Sequence, residues 1–256
     1  MVSYHSEDGI GFITLDNPPA NSYDHAFMEE LGQAIVDAAD DTSGKVIIVR
    51  SSSPKFFSAG ADVKSFARQD AEDSMAMIEL AHQGLGRIAS IPKIFIALIQ
   101  GHALGGGLEI ALACDLRFAA RGSYRLGTPE VTLGLLPGNG GTQRLPRLIG
   151  LSRALDLMIT GRRITPGQAH ALGILDRLLP ADRADAMTLE YARGLAGGAV
   201  EAIGAIKQAA VSGLEHPLED GLARERELVA GLFRSRDARE GLSAFIEKRE
   251  PAFGQT

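Results

Sequence analysis

Apolar residues recur along this chain in two alternating rhythms. Short, nearly continuous runs predict strands at Gly11 to Leu15, Lys45 to Arg50, Ile94 to Ile99, Leu116 to Ala119 and Ile174 to Leu179. The unbroken runs are those expected of strands buried on both faces. Between them, spacings of three and four predict helices over His25 to Ala39, Phe66 to Ile88 and Leu108 to Cys114. The first of these carries Phe27, Met28, Leu31, Ile35 and Val36 on one side. Asp16-Asn17-Pro18-Pro19 is a turn signal, and Thr165-Pro166-Gly167-Gln168 reads as a capping-box helix start. Strands alternating with helices imply parallel pairing through crossovers.

From Ala181 onward the pattern is helical only. It predicts helices over Ala181 to Leu195, Val200 to Ser212 (stopped by Gly213), Leu218 to Phe233 and Arg236 to Lys248. The expected division is an α/β core over residues 1–197 and a helical part over 198–256.

The 256 residues suffice for one large core, and 45% hydrophobic with 23% charged residues is ordinary for a globular chain. A formal net charge of −6, without a basic run, argues against nucleic acid or an anionic membrane as partner. Glycines, Gln100, His102 and Glu109 break the apolar stretch from Ile94 to Cys114, so it reads as strand, turn and helix rather than a membrane span. Cys114 is the single cysteine, and the first residues carry no basic-then-apolar leader; the expectation is a reducing, cytoplasmic setting.

Candidate chemistry gathers in four segments. Glu109 is the only formal charge between Ile94 and Cys114, and it follows the triplet Gly105-Gly106-Gly107. A carboxylate among apolar side chains is costly unless paired, hydrated or protonated, and bare glycines let a ligand approach backbone N–H groups. Phe57-Ser58-Ala59-Gly60-Ala61-Asp62 exposes backbone after a buried strand, with a helix start at Asp62; a tight turn that binds nothing is an equal reading. Thr128-Pro129-Glu130 reads on its own as a capped helix start with Pro at the first position. Gly138-Asn139-Gly140-Gly141 lacks the lysine of a phosphate loop, and neither glycine cluster completes the dinucleotide fingerprint. The six histidines are scattered without metal-ligand spacing, so no metal site is expected, and Cys114 reads as core.

Taken in order, these segments and the C-terminal Phe245-Ile246-Glu247-Lys248-Arg249-Glu250-Pro251-Ala252-Phe253 resemble the enoyl-CoA hydratase/isomerase (crotonase) family. The resemblance implies a spiral of ββα units followed by a helical C-terminal region that builds trimers, commonly stacked as hexamers. It implies an acyl-CoA thioester as substrate and no separate cofactor. Ala61 and Gly106 would supply an oxyanion hole, Glu109 and Glu130 the acid/base pair, and Gly138 an N–H for the reacting water. Ala59, Asp62, Lys55 and Lys64 would contact CoA. Retention of both glutamates implies a hydratase. Alternatives within the family are an isomerase or a specialised dehydratase, and, outside catalysis, an RNA-binding member. Two positions depart from the familiar pattern. Asn139 stands where a small residue is common, and Asn21-Ser22-Tyr23-Asp24 replaces the usual lead-in to the first helix, near the implied CoA entrance.

Overall fold

The computed structural model describes residues 1–68 and 70–254. It opens with a hairpin, β1 (Val2–Glu7) antiparallel to β2 (Ile10–Leu15), turned by Asp8 and Gly9, which both take positive φ. β3 (Ser22–Tyr23), α1 (His25–Asp40) and β4 (Val46–Ser51) follow, then β5 (Phe56–Ser58), β6 (Gly60–Ala61), the one-turn α2 (Val63–Phe66) and α3 (Ala71–Ser90). The middle of the chain carries β7 (Ile94–Ile99), β8 (His102–Leu104), α4 (Gly106–Ala113), β9 (Leu116–Ala120), β10 (Leu126–Gly127) and a 3₁₀ turn at Glu130–Leu133. Next come α5 (Gly141–Ile149), α6 (Leu151–Thr160), α7 (Pro166–Leu172), β11 (Arg177–Leu179) and α8 (Ala184–Ala196). The chain ends with α9 (Val200–Glu215), α10 (Leu218–Leu232) and α11 (Arg236–Glu247).

The main sheet has the order β1-β2-β4-β7-β9-β11, parallel from β2 onward. Both faces are buried, as the unbroken apolar runs require. Ile13, Leu15, Ile47, Val49, Phe95, Ala97 and Ile99 join the larger core with α1, α3 and α4. The alternate residues Ile10, Phe12, Val46, Ile48, Ile96 and Leu98 face a second core closed by Ala184, Ala192 and Ala196 of α8. Two small parallel sheets, β10-β8-β5 and β3-β6, lie beyond the strand ends.

Several expected boundaries are corrected. The helix predicted from Phe66 begins at Ala71, because Asp70 accepts from the Glu72 and Asp73 amides as its N-cap; Gln69 lies outside the described residues. Gly213 does not stop α9, which runs to Glu215. One glycine costs a helix only ~1 kcal/mol. Here it also permits close approach of α10, since a Cβ on Gly221 would lie 3.3 Å from the Gly213 Cα. α8 starts at Ala184 rather than Ala181, after a turn in which the Arg183 amide donates to the Pro180 carbonyl. Only Arg177–Leu179 of the last predicted strand pairs; Ile174 and Leu175 are core residues ahead of it. The capping box at Thr165 and Gln168 is present in both directions.

Asn21 ties the site-bearing segments together. It is fully buried at a positive φ of 50°, which asparagine tolerates. Its Oδ1 accepts from the Asn17 amide, and its Nδ2 lies within bonding distance of the Leu15 and Phe57 carbonyls and the Ser51 hydroxyl. The Ser58 hydroxyl donates to its carbonyl at 2.6 Å. Asn21→Ala strands these buried groups, so the unfolding free energy measured in urea should fall by about 2–3 kcal/mol.

Candidate active site

The turn between β8 and α4 is built for close approach. Gly105 takes φ 55° and ψ −132°, open to glycine, and its amide donates to the Gly127 carbonyl. Gly106 is the first residue of α4, so its N–H has no partner within the helix. A side chain on Gly106 would collide with the Tyr23 hydroxyl, and one on Gly107 would collide with the Ser58 backbone. Across from it, β6 pairs with β3 so that the Asp62 amide donates to the Tyr23 carbonyl. By strand alternation, the Ala61 N–H therefore points away from β3. A Cβ on Gly60 would lie 3.3 Å from the Gly106 nitrogen, so the Ala61 and Gly106 amides belong to segments packed directly against each other. Neither is consumed by main-chain pairing.

Glu109 lies one turn into α4 and is 1% exposed. Its direct partners are backbone amides rather than a charged side chain. Its Oε1 accepts from the Asn139 amide at 2.8 Å and the Gly141 amide at 2.6 Å, at the N-terminus of α5. Arg144 stands behind, donating to the Asn139 carbonyl at 2.9 Å. Burial pushes the Glu109 carboxyl up to about 7; the Gly141 amide restrains the rise, the Glu130 charge adds to it, and the Asn139 amide and Arg144 restrain it further. Glu130 begins the 3₁₀ turn with Pro129 before it at the cap position, and no side chain caps this turn. This corrects the Thr-capped helix start expected there. Its Oε1 would be 3.0 Å from a Cβ on Gly105, and its Oε2 is buried without a protein partner. Burial raises its carboxyl too.

The structure thus brings Ala61, Gly106, Glu109 and Glu130 together at the mouth of α4. Gly138 joins them from the loop ahead of α5. A Cβ there would lie 3.0 Å from Ile78 of α3, and its carbonyl accepts from His82 Nε2 at 2.6 Å. The expected CoA contacts are spread along the neighbouring surface. Lys55 and Lys64 are both exposed, the former 5.6 Å from the centroid of the Phe56 ring. Asp62 is engaged as the cap of α2, accepting from the Lys64 amide, and the Ala59 amide donates to Ala20.

Sequence reasoning placed Tyr23 near the CoA entrance; it is instead buried in the centre of the site. Its hydroxyl accepts from Asn139 Nδ2 at 2.7 Å. Thr128 Oγ1 and Asn139 Oδ1 are buried without partners, as is Glu130 Oε2. The signal was present as two separate departures from pattern, Tyr23 and Asn139, whose pairing no local rhythm reveals. Cys114 is core, as expected, with burial pushing its thiol up to about 12. Among the described residues no cluster of three or more His, Cys, Asp or Glu is arranged to hold a metal, and no helix is long and apolar enough to cross a membrane.

Residues 5–256 match the family model described as enoyl-CoA hydratase/isomerase. The chain belongs to the enoyl-CoA hydratase/isomerase family. A probable enoyl-CoA hydratase of Bacillus subtilis (strain 168) is 37% identical over 98% of each chain. The 2,3-dehydroadipyl-CoA hydratase of Escherichia coli (strain K12) is 39% identical over 94% of this chain and 93% of that one. The solved structure of an enoyl-CoA hydratase from Geobacillus kaustophilus HTA426 superposes with a TM-score of 0.97 at 47% identity, covering 99% of this chain and 96% of the other. The fold is the crotonase fold expected from the sequence.

Because the Glu109 carboxyl sits near 7 in the fold against 4.5 in the open chain, the native state holds its proton more tightly. Its ionisation therefore destabilises the fold progressively as pH rises from about 4.5 to 7. Glu109→Gln, which keeps the two amide hydrogen bonds, should be more stable than the parent above pH 7 by up to about 3 kcal/mol. The difference should vanish near pH 4 in urea unfolding.

Proposed function

We propose that this protein is an enoyl-CoA hydratase, adding water reversibly and syn to a trans-2-enoyl-CoA to give the 3-hydroxyacyl-CoA. The observation that carries the reading is the pairing of a buried carboxylate, Glu109, and a half-buried one, Glu130, with two uncommitted amides. The thioester oxygen sits between the Ala61 and Gly106 N–H groups. Negative charge builds there as water adds, and one such preorganised donor is typically worth ~3 kcal/mol. The positive end of α4 reinforces them.

The two glutamates divide the proton work. Burial raises both carboxyls; two amides oppose the rise at Glu109, and Glu130's own backbone amide opposes it at Glu130. In this scheme Glu109 takes a proton from the water as its oxygen bonds to C3. Electrons shift through C2 to the thioester oxygen, and the carboxyl of Glu130 delivers its proton to C2. Exchange through a further water returns the pair to its starting state. The Gly138 N–H orients the attacking water. Water addition requires no further cofactor in this scheme. The exposed Lys55 and Lys64, with Ala59 and Asp62, lie along the path of the CoA portion.

The helices from α9 onward present large apolar side chains to solvent, among them Phe233, Leu242, Phe245 and Ile246. They support self-association through residues 198–256, as a trimer or a pair of trimers.

Glu109→Gln should lower hydration of a short trans-2-enoyl-CoA roughly 10²–10⁴-fold, followed as loss of the conjugated-thioester absorbance. Glu130→Gln should do the same. An isomerase using Glu130 alone would keep its activity in the first variant. In the parent, kcat/KM should rise with pH through about 7 as Glu109 ionises in the free enzyme.

A further inference from the structure

Tyr23 and Asn139 have no part in the scheme above, yet both sit inside it. Tyr23 ends β3 and Asn139 precedes α5, 116 residues away in sequence. The Asn139 side-chain amide donates to the phenol oxygen, which occupies a lone pair and leaves the tyrosine's own proton without an acceptor among the described residues. Asn139 Oδ1 is also without a donor. The hydroxyl lies against the Cα of Gly106, on the first turn of α4, and Glu109 is the next residue along that helix face. The backbone of Asn139 meanwhile holds Glu109 Oε1. Burial, then the charges of Glu109 and Glu130, drive the phenol's ionisation far above its ordinary range. It is a neutral donor at any working pH, close to both carboxylates. Packing alone does not explain it. The ring meets Phe27, and a phenylalanine would fill the same space without desolvating an uncommitted proton.

We propose that Tyr23 is a further catalytic residue, its hydroxyl set by Asn139 to donate a hydrogen bond to the oxygen that enters and leaves at C3. That oxygen is the attacking water in one direction and the 3-hydroxyl in the other. The proposal rests on the hydratase reading. As Glu109 draws a proton from the water, charge grows on its oxygen, and a fixed O–H donor in a dry site stabilises it. No bond to Tyr23 forms or breaks. Asn139 is a positioning residue, acting through the phenol.

Tyr23→Phe removes only the hydroxyl. Its kcat for hydration should fall by roughly tenfold or more, with KM changed less than about twofold. The lower limb of its pH profile should move to higher pH, because the water that Glu109 deprotonates loses the O–H donor that stabilises the charge it passes to that carboxylate. Asn139→Ala should act in the same direction, and the double variant should be little worse than Tyr23→Phe alone. A structural role would lower stability but leave kcat and the pH limb in place, and that result overturns the proposal. A second readout needs no turnover. Infrared titration of the free protein, with Glu109→Gln identifying the Glu109 band, should show its midpoint raised in Tyr23→Phe. If the parent hydrates no enoyl-CoA, the hydratase reading falls, and the titration decides alone: an unmoved midpoint overturns the tyrosine's placement beside the carboxylates.

Discussion

The site is organised around one buried carboxylate oxygen. Glu109 Oε1 is the point at which α4 and α5 meet, since it takes the amides of Asn139 and Gly141 at once. Nothing larger than glycine fits at position 141, where a Cβ would lie 2.8 Å from that oxygen. The contact fixes the loop 137–141 and hence Gly138, Asn139 and, through Asn139, Tyr23. It also sets the electrostatics. Burial would hold Glu109 protonated, while two N–H donors and a helix N-terminus favour the anion. The balance lies close to neutral pH, as the acid/base role proposed for Glu109 requires.

The same compromise explains the glycines. A backbone amide can serve a ligand only if nothing covers it and nothing else uses it. Gly105 turns the chain through a conformation open to glycine, Gly106 leaves room for the Tyr23 hydroxyl, and Gly60 admits the turn against β6. Asn21, just ahead of β3, ties that strand to β2 and β5 through its buried side chain. Stability is spent here on position: three buried polar atoms remain without protein partners in the same small region.

Much of this was legible in the sequence because the governing constraints are local. The unbroken run Val46 to Val49 announces a strand covered on both sides, and it is. A lone glutamate after three glycines in an apolar stretch announces a special environment. What was not legible is long-range. The polar, alternating Val2 to Glu7 hides a strand that only pairing with β2 defines. Pro146 and the flanking glycines mask α5 and α6. The helix boundary at Asp70 depends on a cap that takes two amides, whereas the start at Asp62 takes one and opens a single turn. Tyr23 and Asn139 could each be seen as unusual, but their hydrogen bond could not. The roles of Glu109 and Glu130 came from family resemblance, and the fold brings both to one place.

The central claim is geometric, that one acyl thioester engages the Ala61 and Gly106 amides while its C3 faces the two carboxylates. A crystal structure of the protein with a bound, unreactive acyl-CoA analogue tests it most directly. The account predicts the thioester oxygen within about 2.7–3.1 Å of both amide nitrogens. C2 and C3 should lie between Glu109 and Glu130. An acyl group bound elsewhere, or turned so that only one carboxylate reaches C2 and C3, would contradict it.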